Sequence, residues 1–166
     1  MIYPTLIVFA GPNGAGKSTL KRRLEALNYP LGVYINPDDI AATLGGTYEA
    51  RSRVAQSIAE QRRQACIARR EDFSFETVMS HPSKIALMRQ AAAAGYTITL
   101  FFVSVEDPEI CVARVRQRVA LGGHDVPVER IVRRYQATMS ALGDAVRTAD
   151  RTVLFESVRR IVDLFQ

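Results

Sequence analysis

Cysteine is scarce in this chain: Cys66 and Cys111 are the only two, far apart and at no metal-ligand spacing. They read as small buried hydrophobes of a reduced compartment, which places the expected location in the cytoplasm. No apolar run approaches the ~18 residues that a bilayer crossing requires, so no membrane partner is expected. The opening Met1-Ile2-Tyr3-Pro4 has no basic flank, and the apolar run after it leads straight into glycines. A secretory signal is therefore not expected. Repeats, low-complexity tracts and Ser/Pro/Gly-rich linkers are also missing, and with 166 residues the expectation is one domain over 1–166 with one well-buried core. Lysine is nearly absent too: of 22 basic residues only Lys17, Lys21 and Lys84 are lysine. The net charge of +5 is thus carried by arginine, whose planar fork pairs bidentately with phosphate oxygens. Such a balance suits nucleic acid and a multi-phosphate site equally well.

What is present alternates between strand and helix patterns. Thr5 to Ala10 is a continuous apolar run ending in glycines, as in a strand buried on both faces. A helix is expected from about Lys17 to Asn28, where Tyr29-Pro30-Leu31-Gly32 breaks it. Val33-Tyr34-Ile35 reads as a second strand. From Tyr48 to Arg70 a long helix is expected, with Val54, Ile58 and Ala65 sharing a stripe with Ala55, Ala59 and Cys66. Phe73-Ser74-Phe75 reads as a strand, Pro82 to Ala94 as a helix closed by Gly95, and Thr97 to Val103 as an internal strand. Pro108 opens a helix whose apolar face is Val112, Val115 and Val119 and which stops at Gly122-Gly123. The next begins at Pro127, with Val128, Ile131, Val132, Tyr135, Met139 and Leu142 on one face, and Thr152 to Phe155 is a fifth strand. Residues 158–166 fit neither pattern clearly. This alternation predicts an α/β three-layer fold: a mainly parallel five-stranded sheet with helices on both faces and ligands beyond the carboxyl ends of the strands.

Gly11-Pro12-Asn13-Gly14-Ala15-Gly16-Lys17-Ser18 fits G-x-x-x-x-G-K-[ST] without a mismatch, between a buried strand and a helix. Its glycines let successive backbone N–H groups curl around phosphate oxygens, and the helix dipole adds about half a positive charge there. Lys17 is expected on the β- and γ-phosphates of ATP, and the Ser18 hydroxyl in one Mg²⁺ position. The guanine-reading N-K-x-D motif is absent, which argues against a GTPase switch.

A second group of polar residues follows the second and third strands. In Asn36-Pro37-Asp38-Asp39, a carboxylate could accept the proton of a hydroxyl as it is phosphorylated. Asp38 is taken as that base and Asp39 as the residue at the start of the helix through Ile40-Ala41-Ala42. Glu76, ahead of Thr77, suits either a magnesium-bound water or a substrate hydroxyl. His81 suits a turn before Pro82 as well as a ligand role. Arg114 and Arg118, four apart on one helix face, are candidates for neutralising the transferring phosphoryl group, within an arginine-rich lid around 114–127. Arg116 points elsewhere, Arg130 and Arg133 read as solvated, and Arg134 is undecided.

Taken together, the phosphate loop with Thr19, Ile35-Asn36-Pro37-Asp38, Phe75-Glu76-Thr77, Gly95-Tyr96, the stretch from Arg114-Val115 to Gly122-Gly123-His124-Asp125-Val126-Pro127, and Arg134-Tyr135 resemble the zeta toxin family of P-loop kinases. The pieces occur in family order over about residues 5–142 and look most like its compact branch. The resemblance implies a nucleoside/adenylate-kinase-like fold and ATP-dependent phosphorylation of a sugar hydroxyl, typically of UDP-N-acetylglucosamine. It also implies Asp38 as base, Arg114 and Arg118 as phosphate-sensing arginines, and a small helical antitoxin that blocks the nucleotide site. Asn36, Asp38, Glu76 and Thr77, which follow the second and third strands, are the candidates for binding the acceptor. Two alternatives stand beside it. One is a kinase of another small hydroxyl acceptor, such as a sugar acid, nucleoside or antibiotic. The other is an ATP-dependent nucleic-acid binder or nucleic-acid end kinase, disfavoured because no aromatic-rich basic strand set is present for stacking bases.

Overall fold

The computed structural model describes residues 3–123 and 125–157. The expectations that touched His124 and residues 158–166 fall outside these. Five strands, β1 (Thr5–Ala10), β2 (Val33–Ile35), β3 (Phe73–Thr77), β4 (Thr97–Ser104) and β5 (Arg151–Glu156), form one sheet in the order β2-β3-β1-β4-β5. Every pairing is parallel, with Val8 of β1 opposite both Phe75 of β3 and Leu100 of β4. Six helices connect them: α1 (Lys17–Ala26), α2 (Pro37–Ala42), α3 (Tyr48–Arg69), α4 (Ser83–Ala93), α5 (Pro108–Ala120) and α6 (Val128–Thr148).

Strand alternation divides the core in two. Leu6, Val8, Phe73, Phe75, Ile98, Leu100 and Phe102 face α3 and α4, whereas Ile7, Phe9, Phe101 and Val103 face α1 and α5. The central strands are apolar on both faces because helices cover both. Helix α6 spans the two halves, with Ile131 and Tyr135 in the second cluster and Met139, Leu142 and Ala145 in the first. Val128, expected on its apolar face, is 39% exposed.

Two sequence expectations need correction. The inward stripe of α3 runs Ala55-Ala59-Arg63-Cys66-Ile67, and Val54 is 48% exposed. Arg63 joins the stripe, which the sequence did not suggest, because this helix lines a cleft as well as a core. The cap of α2 is Asn36, whose side chain accepts the Asp38 N–H at 3.0 Å, rather than either aspartate. Pro37 supplies the first helical position, which shifts the cap one residue ahead of Asp38.

Candidate active site

Strand β1 is central and feeds the glycine loop at the carboxyl edge of the sheet. The chain then turns outward to β2 and α2 on one side, and later to β4 and α5 on the other, so this edge is the switch point where α/β sheets bind ligands. Loop geometry depends on missing side chains: a Cβ at Gly11 would lie 2.3 Å from the Val103 carbonyl oxygen. At Gly14, with φ of 71°, it would press on Cys111 and Arg114. The loop is thereby seated on β4 and α5.

Lys17 is 7% exposed at the start of α1, and its Nζ donates to the carbonyls of Gly11 and Pro12, each at 2.9 Å. Burial lowers its pKa, while the carboxylates of Glu76 and Asp38 act in the opposite sense. Both carboxylates named at the sequence level are therefore within electrostatic reach of the loop lysine. Ser18 donates to Glu76, with Oε1 at 2.9 Å and Oε2 at 3.0 Å. Glu76 stands opposite Phe9 in the neighbouring strand, which delivers it to the foot of the loop. The Tyr34 hydroxyl donates to Glu76 Oε2 at 2.8 Å, and Asn36 Nδ2 donates to Tyr34 at 3.3 Å. Burial and then the charge of Glu76 push the Tyr34 hydroxyl above its usual range. Thr77 Oγ1 accepts from the Met79 N–H at 2.9 Å and shapes the turn after β3.

A cleft of about 600 Å³ opens over this edge. Asn13, Gly14, Gly16, Lys17, Ser18 and Thr19 line its phosphate end, with Asn36, Asp38, Glu76, Thr77, Arg114 and Arg118 around them. Gly11, Pro12 and Ala15 are buried beneath as the loop's frame. Asp39 is exposed outside the cleft and Asp38 is on its wall, although the two are adjacent in α2. His81 lines the cleft, and its Nδ1 accepts from the Ser83 N–H at 3.2 Å.

The arginines separate. Arg114 Nη1 donates to Ser157 Oγ at 2.6 Å and to the Gly14 carbonyl at 3.3 Å, so this side chain braces the loop against the end of β5. Arg118 lines the cleft one turn later on the same helix, which is docked on the core through Cys111 and Val115. Gly122, at φ of 84°, ends that helix, and only a short segment leads on to α6. Arg116 is exposed.

Arg134, undecided from the sequence, also lines the cleft. Burial lowers its pKa and Asp38 works against that shift, so it lies in reach of the candidate base. Its helix is pinned on either side. Tyr135 donates to the Val105 carbonyl at 2.7 Å beyond β4, and Thr138 Oγ1 lies 2.7 Å from the Val78 carbonyl beyond β3. The helical face of Arg134 was readable in the sequence, but what lay across from it was not.

Ser18 and Glu76 offer only oxygen donors, the chemistry Mg²⁺ prefers. Among the described residues no cluster of three or more His, Cys, Asp or Glu side chains could hold a metal by itself. The set therefore fits an ion that shares its coordination with nucleotide phosphates. Among the described residues, no helix is long and apolar enough to cross a membrane.

The sequence model of the zeta toxin family matches residues 2–164. The chain belongs to the zeta toxin family. This zeta toxin family member is 28% identical over 134 residues to an uncharacterised protein of Haemophilus influenzae, covering 78% of the present chain and 91% of that one. Its fold is similar to a structure from the PezAT chromosomal toxin–antitoxin system of Streptococcus pneumoniae, with a TM-score of 0.66 at 16% identity over 94% of this chain and 69% of the other. It is also similar to the AvrRxo1-ORF1:-ORF2 complex with ATP, with a TM-score of 0.73 at 17% identity over 92% of this chain and 54% of the other. The expected fold class and family are thus borne out. With the loop built as described, the chain is an ATP-dependent kinase, and its family and fold are those of kinases of small substrates.

Proposed function

We propose that this cytoplasmic single-domain kinase moves the γ-phosphate of Mg-ATP to a sugar hydroxyl, with UDP-N-acetylglucosamine the leading acceptor. The observation that carries this reading is the position of Asp38. It lies on the cleft wall in the first turn of α2, in electrostatic reach of both Lys17 and Arg134, while its neighbour Asp39 does not line the cleft. A hydroxyl held between Asp38 and the loop would lose its proton to the carboxylate as its oxygen attacks the γ-phosphorus. Asn36 fixes the turn that aims Asp38, and Thr77 lines the acceptor side.

The loop amides and Lys17 hold the phosphates in line, and charge spreading over the transferring group is met by Lys17, Arg118 and Arg134. Arg114 acts through the loop it braces. Ser18 and Glu76 would hold magnesium, which would supply neutralisation of phosphate charge there. The contact between Ser18 and Glu76 favours this assignment of Glu76 over a role on the acceptor. A small antitoxin covering the nucleotide end is the partner the family suggests.

The test is incubation with Mg-ATP and a panel of nucleotide-sugars, sugar acids and nucleosides, reading product mass. A gain of one phosphate on UDP-N-acetylglucosamine, lost in Asp38→Asn, is the expected result. Transfer confined to other acceptors overturns the sugar-nucleotide assignment, and transfer that survives in Asp38→Asn overturns the base.

A further inference from the structure

The cleft extends past the reacting centre to a second end, walled by α3 and the start of α4, where Ser52, Gln56, Arg63, Ser83 and Lys84 line it. No carboxylate faces this end. The two that line the cleft, Asp38 and Glu76, stand at the reacting centre, in electrostatic reach of Lys17. Arg63 is 1% exposed and lies over the Phe75 ring, 5.3 Å from its centroid. Its Nη1 is buried without a hydrogen-bond partner, which is costly for a charged group.

One carboxylate, Glu60, serves both cations of this region. Arg63 Nη2 lies 2.8 Å from its Oε2 and Lys84 Nζ 3.7 Å from the same oxygen. Glu60 does not line the cleft, so the surface presented there carries one positive charge more than it balances. Helix α4 adds the positive end of its dipole, because its first turn holds no acidic residue, although His81 already takes the Ser83 N–H at 3.2 Å and the Lys84 N–H at 3.4 Å. Burial, followed by the charge of Arg63, lowers the Lys84 pKa, a strain that an anion would relieve.

We propose that this end of the cleft is an oxyanion subsite, in which Lys84 and the Arg63 guanidinium behind it, beside the start of α4, hold a carboxylate or phosphate group carried by the phosphoryl acceptor. The proposal rests on the kinase reading above and narrows it: the acceptor is an anion whose charge sits away from the hydroxyl that is phosphorylated. Neutral sugars and uncharged antibiotics are then poor acceptors.

The experiment uses the full chain saturated with magnesium and a non-hydrolysable ATP analogue, so that the loop is filled and added anions report elsewhere. Inorganic phosphate, acetate and glycerol are titrated while the backbone amides of Ser83 and Lys84 are followed by NMR. Saturable shifts with phosphate or acetate and none with glycerol are expected, the tighter anion naming the group. Lys84→Met and Arg63→Met should each weaken that binding about tenfold, the value of one charge-assisted hydrogen bond. Lys84 lies at a helix start with its side chain 18% exposed, so its variant keeps the fold even where the Arg63 variant does not. Silent amides, or equal shifts in Lys84→Met, overturn the subsite. Because the readout needs no turnover, that failure is distinct from failure of the kinase reading, which shows as the absence of any phosphorylated product.

Discussion

The two ends of the cleft are built by opposite means. The phosphate end comes from eight consecutive residues, Gly11 to Ser18, that run from the end of β1 into the first turn of α1, and its shape follows from glycines whose missing side chains admit the Val103 carbonyl and α5. The acceptor end is collected from α2, α3, the turn after β3, α4 and α6, which lie far apart in sequence. One end uses backbone amides and a helix terminus, which any P-loop protein can supply. The other depends on which side chains a particular fold brings into register. The difference teaches that the reaction class is locally encoded here, while the choice of acceptor is a tertiary property.

The strongest way to test that contrast is to break the local end. Lys17→Ala should lower phosphoryl transfer by about a thousandfold or more, as expected when a charge facing the transition state is removed. Circular dichroism should show the fold intact, and retained turnover would take the loop out of the mechanism. Breaking the assembled end at its base comes next. Asp38→Asn should cost about a hundredfold to ten-thousandfold in kcat, and Asp39→Asn little, since only the first faces the cleft. Steady-state kinetics giving the reverse order would assign the wrong carboxylate.

The arginines sharpen the boundary between the ends. Arg118→Ala and Arg134→Ala should each lower kcat by about a hundredfold with ATP affinity nearly unchanged. Arg114→Ala should instead weaken nucleotide binding along with turnover, because it frees Gly14 and Ser157. Calorimetric titration with an ATP analogue separates the two patterns. A smaller effect is expected at Asn36→Ala, about 1 kcal/mol in denaturant unfolding for a lost helix cap. Turnover should also fall, through a less well aimed Asp38.

The smallest effect is a pH dependence of stability. Burial raises the hydroxyls of Tyr34, Tyr96 and Tyr135 above their ordinary 10.0, so the native chain keeps protons that the unfolded chain releases above that pH. Their contribution is complete below pH 10.0 and declines as pH rises beyond it. Urea unfolding across the alkaline range should show this decline, and Tyr34→Phe should lessen it.

Much of the molecule was legible in the sequence. The elements fell where apolar periodicity and the breaks at Gly95, Pro108 and Gly122 placed them, because each signal is local. Other points were not. Asn36, Asp38 and Asp39 are all good helix caps, and only the placement of Pro37 within α2 decided among them. Arg63 looks like any surface arginine of a long helix until α4 and Phe75 close over it. Arg114 and Arg118 share a helix face, yet one is claimed by Ser157, a residue contributed from the far edge of the sheet.

By itself, then, the sequence determined the strand–loop–helix that binds phosphate and the alternation that makes a parallel sheet. Both rest on interactions between residues close along the chain. The strand order β2-β3-β1-β4-β5, the pairing of Ser18 with Glu76 and the placing of Asp38 and Arg134 on one cleft were decided only by the tertiary structure. The reason is physical: these contacts join segments whose approach is set by burying both faces of the sheet, and no local preference of either segment specifies its partner.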